Sequence, residues 1–155
     1  MIRCIGFDPG ITACAYVIVD DSTLALPLVL ECRVVTLTHQ TPAAEAYDLT
    51  IDLLRANPAA IVGVETYRHR RWLGRAVNSA PEMGAVVTAV ELAARSHAAP
   101  LYPIEPAEHR NTIPRTAYAK TLRNQHLRDA YSVAVAAIGH HRLAKVQAMR
   151  GSDDG

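Results

Sequence analysis

Two carboxylates stand where short apolar segments end. Asp8 closes the run IRCIGFD and opens an Asp-Pro-Gly turn, and Glu65 ends the run AAIVGVE. Each alone is also typical of an ordinary turn or of a charge at the end of a buried strand. If the fold brings the two side by side, they repel unless a proton or a cation lies between them. Hard divalent cations such as Mg²⁺ prefer oxygen ligands of this kind.

A second pair of candidate ligands lies nearer the C terminus. His126 and Asp129 are three residues apart, so on a helix they share one face. Asp129 precedes the apolar run 130–138, and a carboxylate that enters a core there without a partner is costly. A capping or surface role is the alternative. A metal would supply the partner, and the imidazole of His126 widens the choice from Mg²⁺ to Mn²⁺.

The hydrophobic pattern predicts the elements that must position these residues, in the order βββαβαβα. Five apolar or alternating runs predict strands over 2–8, 13–20, 28–37, 59–65 and 101–104. Helical spacing predicts helices from the N-cap Thr41 to about 57, from a Ser79/Glu82 capping box to about 97, and over 126–143. The right-handed crossover rule places the fourth strand beside the first, which brings Asp8 close to Glu65.

Length and composition predict one α/β domain. The chain has 155 residues, of which 50% are hydrophobic, so residues 1–145 can enclose a full core; residues 146–155 are expected to form a disordered tail. No apolar run approaches the roughly 20 residues that a bilayer span needs, so we expect no membrane partner and a cytoplasmic protein. The three cysteines, Cys4, Cys14 and Cys32, lie in strand-like runs and are expected to be reduced core residues.

Charge is distributed unevenly along the chain. Residues 1–65 carry three basic and eight acidic groups, whereas residues 66–128 carry ten basic and four acidic groups. Nine of those ten are arginines, whose planar guanidinium binds phosphate oxygens bidentately. One basic face of this composition suits a polyanion better than a neutral metabolite, although a solvated basic surface is the alternative.

Taken together, these motifs resemble the RuvC-type Holliday junction resolvases of the RNase H-like superfamily. The resemblance rests on IGFDPGITACAYVIV, on IVGVE with the basic segment after it, and on HLRDAYSVAVAAI, and it runs over most of residues 1–143. It implies an RNase H-like fold with a mixed five-stranded sheet, three antiparallel strands followed by parallel strands, and helices on both faces. It also implies that two Mg²⁺ ions per site, for which Mn²⁺ can substitute, are held by the catalytic residues Asp8, Glu65, His126 and Asp129. Some members have Asp and others His at the position of His126.

The activity implied by the resemblance is symmetric nicking of four-way DNA junctions in recombination and repair, by two-metal-ion hydrolysis of a phosphodiester. Symmetric cuts imply a homodimer, through the helix around residues 78–97, and a branch-migration helicase is a further candidate partner. Either Tyr67 or Trp72 would enter the opened branch point. The residues expected to contact DNA are Tyr67, Arg68, Arg70, Arg71, Trp72, Arg75, Arg110 and Lys120.

Other functions fit parts of the same pattern. A nuclease of this fold could act on flaps, on other branched DNA or on RNA, and a catalytically silent dimer could simply bind nucleic acid. An actin-like ATPase would use Asp8, Gly10 and Thr12 as a phosphate loop, but its usual two-domain body does not fit in 155 residues. A bacterial protein, or a phage protein that acts in the host cytoplasm, agrees with the resolvase interpretation.

Overall fold

The computed structural model describes residues 1–21, 26–66, 80–110 and 122–152. In chain order its elements are β1 (Ile2–Pro9), β2 (Ala13–Asp21), β3 (Leu28–Thr36), α1 (Pro42–Ala56), β4 (Ile61–Glu65), α2 (Ala80–Ser96), β5 (Leu101–Ile104), α3 (Pro106–Arg110) and α4 (Gln125–Ser152). The predicted strands and the three long helices are therefore confirmed, with shifts of a few residues at their ends except at the C-terminal end of α4.

The strands form one five-stranded mixed sheet in the order β3-β2-β1-β4-β5. The meander β1-β2-β3 is antiparallel, whereas β4 runs parallel to β1 and β5 runs parallel to β4. This is the predicted topology, in which the crossover through α1 returns the chain beside the first strand. The C-terminal ends of β1 and β4 consequently lie at the same edge of the sheet.

Each face of the sheet is covered by helices, and each has its own core. Alternate residues of β1 and β4, such as Phe7 and Val64, pack under α1 and α2. The intervening positions, such as Cys4 and Ile61, pack under α4. Because side chains alternate along a strand, this assignment also tells which face each polar residue takes.

Helix α1 begins where the sequence predicts. Thr41 is its N-cap and Pro42 occupies the first turn, where a missing N–H costs nothing. The Thr41 hydroxyl does not cap a backbone amide; it donates instead to Glu45 Oε1 at 3.0 Å. The Glu45 carboxylate also accepts the Thr38 N–H at 2.9 Å and lies in the first turn, where the helix dipole favours a negative charge.

The last helix is longer than predicted. The helix expected over 126–143 continues to Ser152, so the prediction of a disordered tail is wrong for residues 146–152. The run LAKVQAMR is made mostly of strong helix formers, and an isolated glycine inside a helix costs only about 1 kcal/mol, so Gly139 does not end α4. Residues 153–155 lie outside the described part of the chain.

Two further features differ from expectation. The short helix α3 was not predicted, because five residues are too few to show helical periodicity. Cys4 and Cys14 are buried as expected, but Cys32 is exposed, because β3 is an edge strand and few side chains cover it. In the described residues, no helix is long and apolar enough to cross a membrane.

Candidate active site

Asp8 and Glu65 end adjacent strands, as predicted. The last paired positions of the parallel strands β1 and β4 are Phe7 and Val64, and each carboxylate follows directly. Phe7 and Val64 pack under α1 and α2, so strand alternation turns Asp8 and Glu65 towards the face that α4 covers. The two acidic residues therefore lie at the C-terminal ends of neighbouring strands and on the same face of the sheet.

Helix α4 lies unusually close to this face because two glycines open the way. An ideal Cβ on Gly6 would lie 2.2 Å from the Ala130 carbonyl oxygen, and one on Gly63 would lie 2.8 Å from Ala137 Cβ. Distances under 3 Å leave no room for any side chain, so both strands must present bare backbone to the helix. Contact between backbone and helix at two points fixes the position of α4 along β1 and β4.

This contact brings the start of α4 to the end of β1. His126 precedes Ala130 by about 6 Å along the helix axis, and Asp8 follows Gly6 by about 7 Å along the strand. The two side chains meet, with His126 Nδ1 at 2.7 Å from Asp8 Oδ2. The helix end is held by Asn124, whose Oδ1 accepts the His126 N–H at 2.8 Å as an N-cap.

Asp129 lies on the same face of α4, one turn further into the helix. Gln125 donates from Nε2 to Asp129 Oδ1 at 2.8 Å, which orients the carboxylate. The guanidinium of Arg128 donates to Gln125 Oε1 at 2.9 Å and to the carbonyl of Arg123 at 3.1 Å, so its charge is used to hold the helix start. Gln125 thus links a predicted site residue to the N terminus of α4.

Electrostatics single out Asp8 within this group. Its side chain is only 14% exposed, and this burial raises the pKa of Asp8 to about 6. The hydrogen bond from His126 opposes that rise, whereas the negative charges of Glu65 and Asp129 add to it. A proton or a cation is favoured beside Asp8, because either removes the repulsion among three carboxylates.

The four predicted ligands are therefore brought to one edge, but they are not arranged as a finished metal cage. Asp8 and His126 are in direct contact, whereas Glu65 and Asp129 reach Asp8 through their charge. Within the described ranges, no three His, Cys, Asp or Glu side chains are close enough together to hold an ion. The carboxylate and imidazole groups suit a divalent cation. In this structure, hydrogen bonds hold two of the carboxylates, Asp8 to His126 and Asp129 to Gln125.

Most of the predicted DNA contacts lie outside the described residues. Helix α3 ends at Arg110, for which only the backbone is described. The other predicted residues fall in 67–79 and 111–121, and they are Tyr67, Arg68, Arg70, Arg71, Trp72, Arg75 and Lys120. Their contacts with DNA stay predictions.

Sequence reasoning missed the residues that support the site. Asn124, two residues before His126, has the residue type and spacing of an N-cap, so a signal for it was present. Gln125 and Asp129 are four apart on a helix, a spacing at which side chains meet. The role of Gly6 had no local signal, because it depends on which helix covers β1.

Comparisons with known proteins identify the fold. No family model and no curated protein sequence matches the chain. Among solved structures, it is similar to Thermus thermophilus RuvC in complex with a Holliday junction substrate, with a TM-score of 0.75 and 20% identity over 93% of this chain and 97% of that chain.

A second Thermus thermophilus RuvC structure gives a TM-score of 0.73 at 20% identity, over 92% of this chain and 97% of that one. The yeast mitochondrial Holliday junction resolvase Ydc2 gives 0.55 at 17% identity, over 94% of this chain and 84% of that one. The TM-scores against the two RuvC structures show that the five-stranded mixed sheet with helices on both faces matches the RuvC fold. This chain has the RNase H-like fold of the RuvC resolvases.

Proposed function

We propose that this chain is a structure-selective endonuclease that nicks four-way DNA junctions symmetrically, a Holliday junction resolvase of recombination and repair. The observation that carries the proposal is the buried Asp8 carboxylate, which contacts His126 and lies within the field of Glu65 and Asp129. It lies on a fold similar to that of a RuvC solved in complex with a Holliday junction substrate. Acting on other branched DNA, on flaps or on RNA is the nearest alternative for the same site.

The residue types of the site, although not their spacing in this structure, suit divalent cations. Three carboxylates supply the oxygen ligands that Mg²⁺ prefers, and the imidazole of His126 is also acceptable to Mn²⁺. Burial is the largest cause of the raised pKa of Asp8, and the negative charges of Glu65 and Asp129 add to it; a bound cation would neutralise that charge. We therefore assign two Mg²⁺ ions per site to Asp8, Glu65, His126 and Asp129, with Mn²⁺ as a substitute.

Bound cations would activate the attacking water and stabilise the leaving 3′ oxygen, as in other two-metal nucleases. The chain itself supplies a rigid and an adjustable ligand. Asp8 is rigid because its side chain is buried and β1 is hydrogen-bonded between β2 and β4. His126 is adjustable because its side chain is 65% exposed at the first turn of α4. Hydrolysis would leave a 5′-phosphate and a 3′-hydroxyl.

We assign recognition of DNA to the basic residues of segments 67–79 and 111–121 and to Arg110, at the end of α3. Arginines 68, 70, 71, 75 and 110, together with Lys120, would contact phosphates and make binding strongly dependent on salt. Tyr67 or Trp72 would enter the branch point, and preference for a junction would come from shape and deformability.

Two symmetric cuts need two sites, so we propose a homodimer paired through α2. The outer side of this helix carries Leu92, which is 58% exposed, and Gly84, beside which an added Cβ would meet nothing in the described residues. Both features suit close approach of a second helix.

The test is cleavage of a synthetic immobile four-way junction with Mg²⁺ or Mn²⁺, beside linear duplex and flap controls. Asp8→Asn should abolish cleavage and leave junction binding largely unchanged, since it removes charge at the site and keeps the side-chain shape. Asp52→Asn is the matched control, because Asp52 is an exposed carboxylate on α1 paired only loosely with Arg55, at 3.6 Å.

Three results of this test are informative. Paired symmetric nicks in the junction alone support a resolvase, whereas cutting of every branched substrate keeps the site and broadens the function. Binding without cutting by the wild type would refute the nuclease and leave a nucleic-acid-binding dimer.

His126→Asp should keep activity, because Asp offers oxygen ligands at the same position.

A further inference from the structure

The outer edge of β3 is unpaired in the described residues and is interrupted by a bulge at Leu30. Strand β3 is the last strand on its side of the sheet, and no other strand in the described ranges pairs with it from outside. Its side chains are mostly exposed, including Leu28 at 64% and Leu30 at 47%. A row of free backbone donors and acceptors beside exposed apolar side chains is a template for pairing with another strand.

The sequence of β3 is symmetric in its chemistry about one residue. Cys32 is the central residue of Leu28–Thr36, and it is flanked by Glu31 and Arg33. These two charged residues share one face, since they pair with Ile18 and Tyr16 of β2, which pack in the same core. Both are exposed.

An antiparallel pairing with a two-fold axis at Cys32 would use this symmetry. Glu31 of each copy would lie opposite Arg33 of the other, so both charged pairs would be attractive. The regular match is confined to Glu31–Arg33, because the register of β3 on β2 shifts at Leu30, which has no paired residue in β2. A parallel or shifted pairing loses at least one of these matches, and opposite charges facing each other across strands are stabilising whereas like charges are not.

We infer that the outer edge of β3 is a self-association surface, on which a second copy of this chain adds its own β3 antiparallel, centred on Cys32. Even two complete nine-residue strands would cover less surface than the 1,200–2,000 Å² typical of stable interfaces, and the bulge at Leu30 shortens the regular pairing, so the association should be weak. It is separate from the α2 pairing proposed above, because α2 packs across the other half of the sheet, over β1, β4 and β5. It would join dimers to one another rather than form them.

The cysteines of the chain provide a specific probe of this geometry. Directly opposed residues of antiparallel strands have Cα atoms about 4.5–5.5 Å apart, within the range that a disulfide can bridge. Cys32 is exposed, whereas Cys4 and Cys14 are fully buried, and burial raises the pKa of Cys14 to about 12. A mild two-electron oxidant such as diamide should therefore join two copies through Cys32 alone, with each thiol losing one proton and one electron. Cys32→Ser is the negative control, in which no cross-link should form.

Charge reversal tests whether such cross-linking reports the pairing or only random collision. Glu31→Arg and Arg33→Glu each place two pairs of like charges across the interface, and we expect either to lower the initial cross-linking rate about ten-fold. The double variant restores opposite charges with their positions exchanged, so it should recover the wild-type rate. Arg55→Glu on α1 is the control for a change of net charge.

Glu31 also accepts a hydrogen bond from the Tyr16 hydroxyl, so unfolding of every variant is monitored by circular dichroism. Arg33→Glu leaves that hydrogen bond in place and keeps the test valid if Glu31→Arg fails to fold. The inference is refuted if the wild type does not cross-link through Cys32, if Arg33→Glu cross-links as fast as wild type, or if the folded double variant does not recover. None of these outcomes depends on nuclease activity, so they are independent of the proposed function.

Discussion

On one face of the sheet, α4 approaches β1 and β4 until backbone meets helix, at Gly6 and Gly63. On the other face, α1 and α2 are held away from the same two strands by large buried side chains such as Phe7 and Val62. Large apolar side chains fill space and stabilise, but they tolerate small shifts of the helix they support. Glycine contacts contribute little buried area and fix position instead. The candidate active site lies on the face where position is fixed.

The first test of this contrast destabilises the face covered by α1 and α2, which does not carry the candidate active site. Leu54 of α1 is 3% exposed in the core beneath α1 and α2. Leu54→Ala should lower the free energy of unfolding by about 2–5 kcal/mol, because it removes buried methyl groups and leaves a cavity. The junction-cleavage rate of the folded protein, measured well below the melting temperature, should stay within about two-fold of wild type. A parallel loss of activity would show that both faces position the site.

The converse change disturbs the face covered by α4, which carries the candidate active site. Gly6→Ala puts a methyl group where the Ala130 carbonyl oxygen lies, so α4 must move. We expect this overpacking to lower the free energy of unfolding by at least about 1–3 kcal/mol, because the clashing atoms include the backbone of α4. Cleavage should also fall at least about 100-fold, since displacement of catalytic groups by about 1 Å has effects of that size.

The matched control is a glycine of α4, the helix that Gly6 contacts. Gly139 of α4 is exposed, and an added Cβ there would meet nothing in the described residues. Gly139→Ala should raise the free energy of unfolding by up to about 1 kcal/mol and leave cleavage unchanged. Urea unfolding and single-turnover cleavage of both variants decide the matter; full activity of a folded Gly6→Ala protein would contradict the role given to the glycine.

The same contrast explains how much the sequence could predict. Strand order and the neighbouring positions of Asp8 and Glu65 follow from periodicity and the crossover rule, which depend on local pattern and chain connectivity. The approach of α4 to Gly6 could not be predicted, because a glycine in a strand does not indicate which element will pack against it. The exposure of Cys32 was missed for a related reason: an apolar run looks alike in a central strand and at an edge.

The end of α2 offers a smaller change on the face without the site. Ala98 follows this helix with φ at 52°, in the left-handed region that favours glycine. The turn closes with the Ala99 N–H donating to the Ala94 carbonyl at 3.0 Å, a pattern typical of helices that end in glycine. Ala98→Gly should raise the free energy of unfolding by up to about 1 kcal/mol, with no change in cleavage. A melting temperature at or below that of wild type would contradict this.

The smallest expected effect concerns the ion pair between Arg3 of β1 and Asp20 of β2. Arg3 donates to both carboxylate oxygens of Asp20, at 2.8 and 2.9 Å, and to Asn57 Oδ1 at 3.3 Å. The hydrogen bonds from Arg3 hold the pKa of Asp20 below its usual range. Because the folded pKa is below the unfolded value of about 3.9, the pair stabilises the fold above that pH.

That contribution is lost as pH falls through the lower, folded pKa of Asp20. The difference in unfolding free energy between wild type and Asp20→Asn should therefore be present at pH 6 and shrink steadily towards pH 3. Water and salt screen the pair, since the Arg3 side chain is 39% exposed, so the difference should be the smallest of this series and should decrease in high salt. If the difference in unfolding free energy between wild type and Asp20→Asn did not change with pH, Asp20 would stabilise the fold through packing and not through its charge. The two faces of the sheet would then differ only in how their helices contact the strands.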